Sequence, residues 1–378
     1  MSEIIYLDNA ATTKPSQAAA EAMIKASEFF GNPSSLHGLG LRAEKLVRDA
    51  RRTVADMLGV NEKTILFTSG GTEANNTAIF GAAYAQKKLG TKLITTKIEH
   101  PSVLQAFKKL ENDGFTVKYL DVMSDGRISL DALREAADKE TTLVSIMHVN
   151  NETGVIQPVN EIKEILKAQS PNALFHSDCV QSFGKTDVKP QKMGADMVTV
   201  SSHKIHGFKG TGALYVKDMR KVRPLIYGGE QQSEMRPGTE NVGGILAFGA
   251  AVRECGLNNR NLLNLRNKMK EMLLQIPDVR INGSDEYNSG SILNVSFLGI
   301  KAEILLHAIE ARGVYVSTGS ACSSHKPQPS HVLTAMGLSK KEIEGAVRIS
   351  FDRVTTFDEV IRAAQIIEEE VRSIRRYM

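Results

Sequence analysis

Short apolar segments rich in β-branched residues alternate with longer helical patterns along most of the chain. Residues 64–69, TILFTS, enter a Gly-Gly turn that opens a helical pattern, and residues 173–178 and 197–202 are further segments of the strand type. Strands that alternate with helices are joined by crossovers, which leave neighbouring strands parallel. The sequence therefore predicts an α/β fold built on a largely parallel sheet.

The pattern of predicted elements changes after about residue 253, where a helical stretch leads into a second strand–helix unit at residues 291–313. The chain ends in a further helical pattern, in which Thr356 and Glu359 are spaced as a capping box. One apolar stripe of this pattern consists of Val360, Ala364, Ile367, Val371 and Ile374. A length of 378 residues suggests two domains, and we expect the last helix to pack against the second.

Composition excludes several classes of protein. The chain is 42% hydrophobic and 24% charged with a net charge of +4, which is typical of a soluble globular protein. The basic runs at residues 217–224 and 372–376 lack aromatic stacking residues, so we interpret them as solvated faces and expect no nucleic-acid partner. No apolar run reaches membrane-spanning length, and residues 1–10 show no secretory signal. We expect a cytoplasmic protein.

The three cysteines, Cys179, Cys255 and Cys322, are odd in number and far apart. This spacing argues against a disulfide framework and against a cysteine-rich metal site. Cys322 stands between glycine and serine residues, followed by a basic pair and two prolines, which indicates an exposed loop. The residues alone leave three readings open for this thiol: a small buried hydrophobe, half of a disulfide, or a nucleophile.

Polar residues follow several predicted strands, at the edge where open α/β sheets bind ligands. The segment TSGGTEANN offers a glycine turn and a helix N-terminus, which would cradle a phosphate, although such turns are also common without a ligand. Asp178 comes at a strand end and would either bind a ligand or cap the next helix. His100 follows another strand and would be a structural hydrogen-bonder or a catalyst.

Lys204 favours the ligand-binding interpretation of these polar residues over the structural one. It follows a β-branched strand and precedes a glycine-rich turn, where a lysine can be desolvated for Schiff-base chemistry. An anion site, a carboxylate, a ring-sized histidine and a sheltered amine are the groups that pyridoxal phosphate requires.

The ordered motifs of the whole chain resemble the group I, nitrogen-fixation-type cysteine desulfurases, which belong to the fold-type-I, aminotransferase-like pyridoxal phosphate enzymes. The motifs are YLDNAATT, FTSGGTEANN, EHPSVL, VSIMHVNNETG, HSDCVQS, SSHKIHGFKGTGALYV, RPGTENV and STGSACSS. The resemblance implies a mostly parallel seven-stranded sheet in a large domain, residues 15–255. It also implies a smaller α/β domain, residues 1–14 and 256–378, which carries the cysteine loop at about 317–330.

The resemblance also assigns roles to matching positions. Lys204 would form the Schiff base and shuttle protons, and His100 would stack on the cofactor ring. Asp178 would pair with the ring nitrogen, and Gln181 would donate to the phenolic oxygen. The implied cofactor-binding set is Gly71, Thr72, His100, Asn151, Asp178, Gln181, Ser201, His203, Lys204 and Thr239, with Thr239 reaching in from a partner subunit of a homodimer.

Asn151 and Arg348 would bind the substrate, L-cysteine, with the arginine as a fork on its carboxylate. Cys322 would accept the sulfur as a persulfide, leaving alanine, and pass it to an iron–sulfur scaffold or a tRNA-thiolation enzyme. No metal is expected, apart from transient ligation of a nascent iron–sulfur cluster by Cys322. We hypothesise that His331, with His325 and Lys326, raises the thiolate fraction of Cys322.

The chain departs from the family pattern at Glu230 and Gln232, at Phe208, and at Cys179, which we interpret as a small packed side chain. The alternatives within the same chemistry are an aminotransferase and a selenocysteine lyase, and outside it a non-catalytic scaffold that only binds partners. A thiol at position 322 favours the desulfurase, because transamination needs none.

Overall fold

The computed structural model describes residues 4–256, 259–318 and 329–377. Its strands are β1 (Ile5–Tyr6), β2 (Ile65–Thr68), β3 (Lys92–Thr96), β4 (Thr116–Leu120), β5 (Thr141–Ser145), β6 (Leu174–Asp178), β7 (Met197–Ser201), β8 (Gly212–Val216), β9 (Val279–Asn282), β10 (Ile292–Phe297), β11 (Val314–Tyr315), β12 (Ser317–Thr318) and β13 (Ala346–Ser350). Its α-helices are α1 (Gln17–Ala26), α2 (Gly38–Leu58), α3 (Gly71–Gln86), α4 (Pro101–Asn112), α5 (Leu130–Ala136), α6 (Val159–Gln169), α7 (Pro190–Met193), α8 (Val242–Glu254), α9 (Asn259–Leu273), α10 (Ala302–Glu310), α11 (His331–Ala335), α12 (Lys340–Glu344) and α13 (Phe357–Arg376).

The largest sheet has seven strands in the order β2-β8-β7-β6-β5-β3-β4. Strands β7, β6, β5, β3 and β4 pair in parallel, and β8 is antiparallel to both of its neighbours. The predicted seven-stranded, mostly parallel sheet is therefore confirmed. The carboxyl ends of its parallel strands lie along one edge, which is where the polar segments of the sequence were expected to meet.

Consecutive residues of these strands enter two different hydrophobic cores. Leu66 and Leu174 pack with the side chains of α3 and α4, whereas Phe67 and Phe175 pack with those of α2, α6 and α8. This division follows from the two-residue period of a strand, which sends successive side chains to opposite faces. Because both faces are covered, β2, β5, β6, β7 and β8 are buried at every residue, whereas β4 at the edge of the sheet is partly exposed.

A second sheet has four antiparallel strands in the order β12-β13-β10-β9. It shares a core with α9, α10 and α13. The predicted stripe of α13 faces this core: Val360, Ala364, Ile367 and Val371 are buried and Ile374 is partly buried. The predicted capping box of Thr356 and Glu359 is present as well, so the interpretation of α13 as a packed terminal helix is confirmed.

The first described residues connect the two sheets. Strand β1 pairs in parallel with β11, and the Asn9 side chain donates to the Ser350 carbonyl over 2.9 Å. A few residues later, the Thr13 amide donates to the His203 carbonyl at 2.9 Å. This segment therefore contacts the four-stranded sheet and the turn that follows β7, while the domain limits at residues 15 and 255 stay a prediction.

Membrane-spanning helices and metal-binding groups were searched for among the described residues. Within them, no helix combines the length and apolarity that crossing a bilayer requires. Among the same residues, no three or more His, Cys, Asp or Glu side chains form a group that would hold a metal ion.

Candidate active site

The predicted polar residues meet at the carboxyl edge of the seven-stranded sheet. Asp178 is the last residue of β6, and Ser201 is the last residue of β7. His100 is the N-cap of α4, which follows β3. Lys204 ends a short 3₁₀ turn directly after β7. The fold thus delivers four of the predicted site residues to one crevice, because parallel neighbours end on the same side.

The start of α3 forms the anion-binding end of this crevice. Gly70 caps the helix without a side-chain hydrogen bond, so the first N–H groups of the helix point outward without intrahelical acceptors. A Cβ at Gly71 would lie only 2.9 Å from Val180 Cγ2, so a larger residue would not fit there. The Ser201 hydroxyl is buried and has no hydrogen-bond partner among the described residues. Helix dipole, free amides and an unsatisfied hydroxyl together suit a phosphate group.

A buried chain of hydrogen bonds joins Asp178 to His100. The Asn75 amide nitrogen donates to Asp178 Oδ2 at 2.7 Å and to Ser102 Oγ at 2.9 Å. Ser102 Oγ lies 2.8 Å from His100 Nδ1. The Ser102 amide also donates to Nδ1 at 3.2 Å, so Nδ1 is an acceptor, and we infer that the ring proton of a neutral His100 lies on Nε2. Asn75 and Ser102 were not among the predicted site residues.

Burial is the main influence on the His100 ring. It lowers the pKa of His100, an effect that the neighbouring Asp178 carboxylate opposes and the Lys204 amine reinforces. The ring is therefore held neutral at physiological pH, with one nitrogen accepting from Ser102 and the other free to act. The Asp178 carboxylate is fixed on its second oxygen, Oδ1, by the Val180 amide at 2.9 Å.

The amine of Lys204 is fixed by backbone carbonyls of the N-terminal segment. Its Nζ donates to Ala10 O at 2.6 Å and to Ala11 O at 2.8 Å. The Gln181 amide nitrogen donates to the same Ala10 carbonyl at 2.9 Å, while its Oε1 is buried without a partner in the described part of the chain. Gln181 and Lys204 are therefore neighbours in the site, as the resemblance implies.

His203 contacts the same N-terminal segment through a side chain. Its Nδ1 lies 3.2 Å from Thr12 Oγ1. Burial, followed by the charge of Lys204, lowers the pKa of His203 to about 4, so the ring is neutral. A neutral ring can still donate one N–H to a phosphate, which is the part that the resemblance implies for it.

Arg348 is buried, and two of its three guanidinium nitrogens already donate hydrogen bonds within the protein. Nη2 donates to Asp8 Oδ1 at 2.8 Å, and Nη1 donates to the Asn151 carbonyl at 3.0 Å. Arg348 Nε and Asn151 Oδ1 are both buried without partners in residues 4–256, 259–318 and 329–377. Asp8 was not predicted. The arginine and Asn151 lie together, as expected for a shared substrate site.

Thr239 lies apart from this cluster. Thr239 is exposed on the surface of the chain. It follows Arg236, whose Nε donates to Glu73 Oε1 in the first turn of α3 at 2.8 Å. Cys322, like His325 and Lys326, lies outside the described residues, and the flanking residues Thr318 and Pro329 are the nearest ones that the structure describes.

The other two cysteines are not arranged for catalysis. Cys179 is fully buried, and burial raises the pKa of its thiol to about 12. It is therefore the small packed side chain that the sequence predicted. Burial also raises the pKa of Cys255, to about 11. Neither thiol is ionised near neutral pH, so neither is a ready nucleophile.

Comparison with known proteins shows the same relationship over nearly the whole chain. The family model "Aminotransferase class-V" matches residues 5–362. A protein named cysteine desulfurase IscS from Methanosarcina thermophila is 43% identical over 98% of this chain and 93% of its own length. A protein named putative cysteine desulfurase IscS 1, from Bacillus subtilis, is 42% identical over 98% of this chain and 100% of its own length.

Solved structures agree with this relationship. A protein described as NifS-like superimposes with a TM-score of 0.91 at 38% identity, covering 98% of this chain and 99% of that one. A structure described as SspA in complex with cysteine superimposes with a TM-score of 0.82 at 35% identity, covering 92% of this chain and 98% of that one.

Proposed function

Because the chain belongs to the cysteine desulfurases of the aminotransferase class-V family, we propose that it converts L-cysteine to L-alanine and takes the sulfur onto Cys322. The family depends on pyridoxal phosphate. The residues present fit this cofactor. The observation that carries the proposal is that the unsatisfied Ser201 hydroxyl and the open α3 N-terminus share one sheet edge with the Asp178 carboxylate and the Lys204 amine.

We propose the following parts for the residues that would hold the cofactor. Gly71, Thr72, Ser201 and His203 would bind its phosphate, and Gln181 its phenolic oxygen. The Asp178 carboxylate, held by Asn75, would bind the ring nitrogen. When bound, pyridoxal phosphate supplies an electron sink for the charge that develops at the substrate Cα.

The remaining steps fall to side chains of this chain. Lys204 would anchor the cofactor and move the proton at the substrate Cα. His100 would stack on the ring and assist proton transfer, with Nε2 as the working nitrogen because Nδ1 is held by Ser102. Arg348 and Asn151 would bind the substrate carboxylate, with Arg348 Nε as the donor that has no protein acceptor in the described ranges.

Sulfur transfer would then use the thiolate of Cys322. The thiolate attacks the substrate sulfur, so that an S–S bond forms while the Cβ–S bond breaks. The electron pair of the broken bond stays on the carbon skeleton, which takes up a proton and leaves as alanine. The product on the enzyme is a persulfide.

Mass spectrometry of the protein after exposure to L-cysteine tests this proposal. We expect one additional sulfur on Cys322 and release of alanine. The Cys322→Ser variant should lack the adduct while keeping the yellow colour of the bound cofactor. Cys179→Ala is the matched control, because it removes a buried thiol and should leave the adduct unchanged. An adduct on another cysteine, or none at all in the coloured parent enzyme, would refute the assignment.

The rival pyridoxal phosphate reactions differ in their products. An aminotransferase would pass the amino group of L-cysteine to a keto acid, so it would release no alanine when no keto acid is added. A selenocysteine lyase would use selenocysteine efficiently and L-cysteine poorly. A partner-binding scaffold would stay colourless when pyridoxal phosphate is added. Measuring alanine release from both substrates therefore separates all three from the desulfurase.

We also propose that the enzyme is a homodimer in which Thr239 of the partner subunit completes the phosphate site. Exposed apolar side chains support this, because such a surface is typical of an interface. The exposed apolar residues include Phe30 after α1, Leu36 and Leu41 at the start of α2, and Ile226 and Tyr227 in the segment between β8 and α8.

Mixed dimers test the partner contribution of Thr239. Lys204→Ala and Thr239→Ala subunits are co-expressed with different tags and purified as heterodimers. If Thr239 acts across the interface, the subunit that keeps Lys204 receives an intact threonine and is active. If Thr239 acts within its own subunit, every site lacks one of the two residues, and the heterodimer is inactive.

The persulfide would pass to an acceptor protein in the cytoplasm, either an iron–sulfur scaffold or a tRNA-thiolation enzyme. A reducing compartment suits this chemistry, since Cys179 and Cys255 are both free thiols. Sulfur from radiolabelled cysteine, chased with candidate acceptors of both kinds, should appear on an acceptor cysteine. Failure of transfer to either kind would reject this part of the proposal.

A further inference from the structure

Helix α11 (His331–Ala335) begins a few residues after Cys322 and is tied to the active site at its first turn. Its N-cap, Ser330, accepts the Leu333 amide at 3.1 Å, as an N-cap does. The same hydroxyl donates to Glu152 Oε2 at 2.5 Å. Both side chains are buried, so this hydrogen bond is shielded from water. Capping alone does not require Glu152.

The next residue makes a second hydrogen bond that ties α11 to the active site. His331 Nε2 lies 2.9 Å from the carbonyl oxygen of Glu99. A carbonyl only accepts, so Nε2 carries the proton and donates. This ring nitrogen is therefore hydrogen-bonded to the backbone just before α4. If His331 activates the thiol of Cys322, its other ring nitrogen, Nδ1, would have to do so.

The two ties end beside two proposed site residues. Glu99 directly precedes His100, and Glu152 directly follows Asn151. The chain on the other side of the cysteine segment is also fixed to the site, because Ser317 of β12 pairs with Arg348 of β13. Both flanks of the segment are thus held by the loops and strands that present the proposed substrate-binding and acid–base groups.

We propose that Ser330 and His331 are positioning residues for sulfur transfer, because they hold the chain that follows Cys322 on the loops that present His100 and Asn151. This inference rests on the proposed function. Neither residue takes part in binding the cofactor or in the chemistry at the substrate Cα. Their effect is confined to how often the thiol and the substrate sulfur meet in a reactive geometry.

The size of the effect follows from the geometry that a displacement reaction needs. Reacting atoms must approach within van der Waals distance and in line, and a misplacement of about 1 Å can slow a reaction by roughly 100-fold. Loss of one tie leaves the other in place. We therefore expect each single substitution to slow persulfide formation by roughly 10- to 100-fold.

The experiment compares two rates in the same holoenzyme preparations. Exchange of the substrate Cα hydrogen with deuterated water reports the chemistry that precedes sulfur transfer and needs no thiol. Rapid quench followed by mass spectrometry reports persulfide formation on Cys322. The substitutions are Ser330→Ala and His331→Phe, which each remove one tie.

Three further variants serve as controls. Ser330→Thr keeps the hydroxyl, and His331→Gln keeps an N–H donor, so both should recover most of the lost rate. Ser339→Ala is the matched control, since Ser339 caps the equally short helix α12 (Lys340–Glu344) through the same kind of hydrogen bond. It should cost helix stability without changing the ratio of the two rates.

The expected result is slower persulfide formation with unchanged Cα exchange in Ser330→Ala and His331→Phe only. A parallel loss of both rates, or an equal change in Ser339→Ala, would overturn the inference, because either would indicate a general structural effect. If His331→Phe shifted the pH profile of Cys322 alkylation, thiol activation rather than positioning would explain its phenotype. A parent enzyme that exchanges hydrogen but never forms the persulfide would instead reject the proposed function itself.

Discussion

Replacing Glu99 with glutamine should remove part of the pH dependence of the free energy of unfolding. Glu99 is fully buried, and its Oε1 accepts from Thr96 Oγ1 at 2.8 Å and from the Met147 amide at 3.0 Å. Its Oε2 has no partner among the described residues. Burial raises the pKa of Glu99 from 4.5 to about 8, although those hydrogen bonds oppose the change. Glutamine keeps the shape and the accepting oxygen without the ionisation.

The magnitude follows from linkage between protonation and folding. Between pH 4.5 and about pH 8 the folded protein keeps a proton on Glu99 that the unfolded chain has released. The free energy of unfolding therefore falls as the pH rises, by about 1.4 kcal/mol per pH unit. Over this window of about 3.5 pH units the loss amounts to about 5 kcal/mol. The contribution is fully present below pH 4.5 and is gone above about pH 8.

Urea unfolding of the parent and Glu99→Gln holoenzymes across this pH window measures the effect. The free energy of unfolding of the variant, minus that of the parent, should increase steadily from the acidic to the basic end. Glu164→Gln is the control, since Glu164 is exposed and pairs with Lys167 on the surface. Parallel pH profiles for the parent and Glu99→Gln would show that Glu99 ionises normally in the folded state and would refute the reasoning.

Three further outcomes are expected. Asn75→Ala should destabilise the protein by about 1.5–3 kcal/mol, because it removes a donor from the buried Asp178 carboxylate; denaturant unfolding checks this, and a change within error contradicts it. Ile367→Ala should cost about 2–5 kcal/mol in the same assay, because Ile367 is buried in the core beneath α13; a smaller loss would mean that this core collapses around the cavity. The Cys179 thiol should resist iodoacetamide in the native protein at mildly alkaline pH, because burial raises its pKa to about 12; peptide mapping would show any labelling.

Local patterns in the sequence predicted much of the fold. The predicted apolar stripe on α13 faces a core as expected, and the predicted capping box begins that helix. These predictions succeed because amphipathic spacing and capping are short-range features. Asp178 and Ser201 stand at strand ends as predicted, since the end of an apolar run is visible in the sequence itself.

The sequence reasoning missed the side chains that hold the site residues in place. Asn75 and Asp8 lie inside the quoted motifs FTSGGTEANN and YLDNAATT, yet their partners, Asp178 and Arg348, are far along the chain. A hydrogen bond between such residues depends on how whole elements pack, which no local pattern encodes. Their position offered one clue, because each is a small polar residue inside a motif that carries the family resemblance.

The N-terminal segment has a consequence for the synthesis of the enzyme. The carbonyls of Ala10 and Ala11 that hold the Lys204 amine belong to residues synthesised well before that lysine, and Asn9 is secured by Ser350, 341 positions further along the chain. Contacts between such distant positions close only after the chain has been translated through β13. A nascent chain that stalls before β13 would therefore lack Arg348 and Ser350, and with them the contacts to Asp8 and Asn9 that complete the candidate active site.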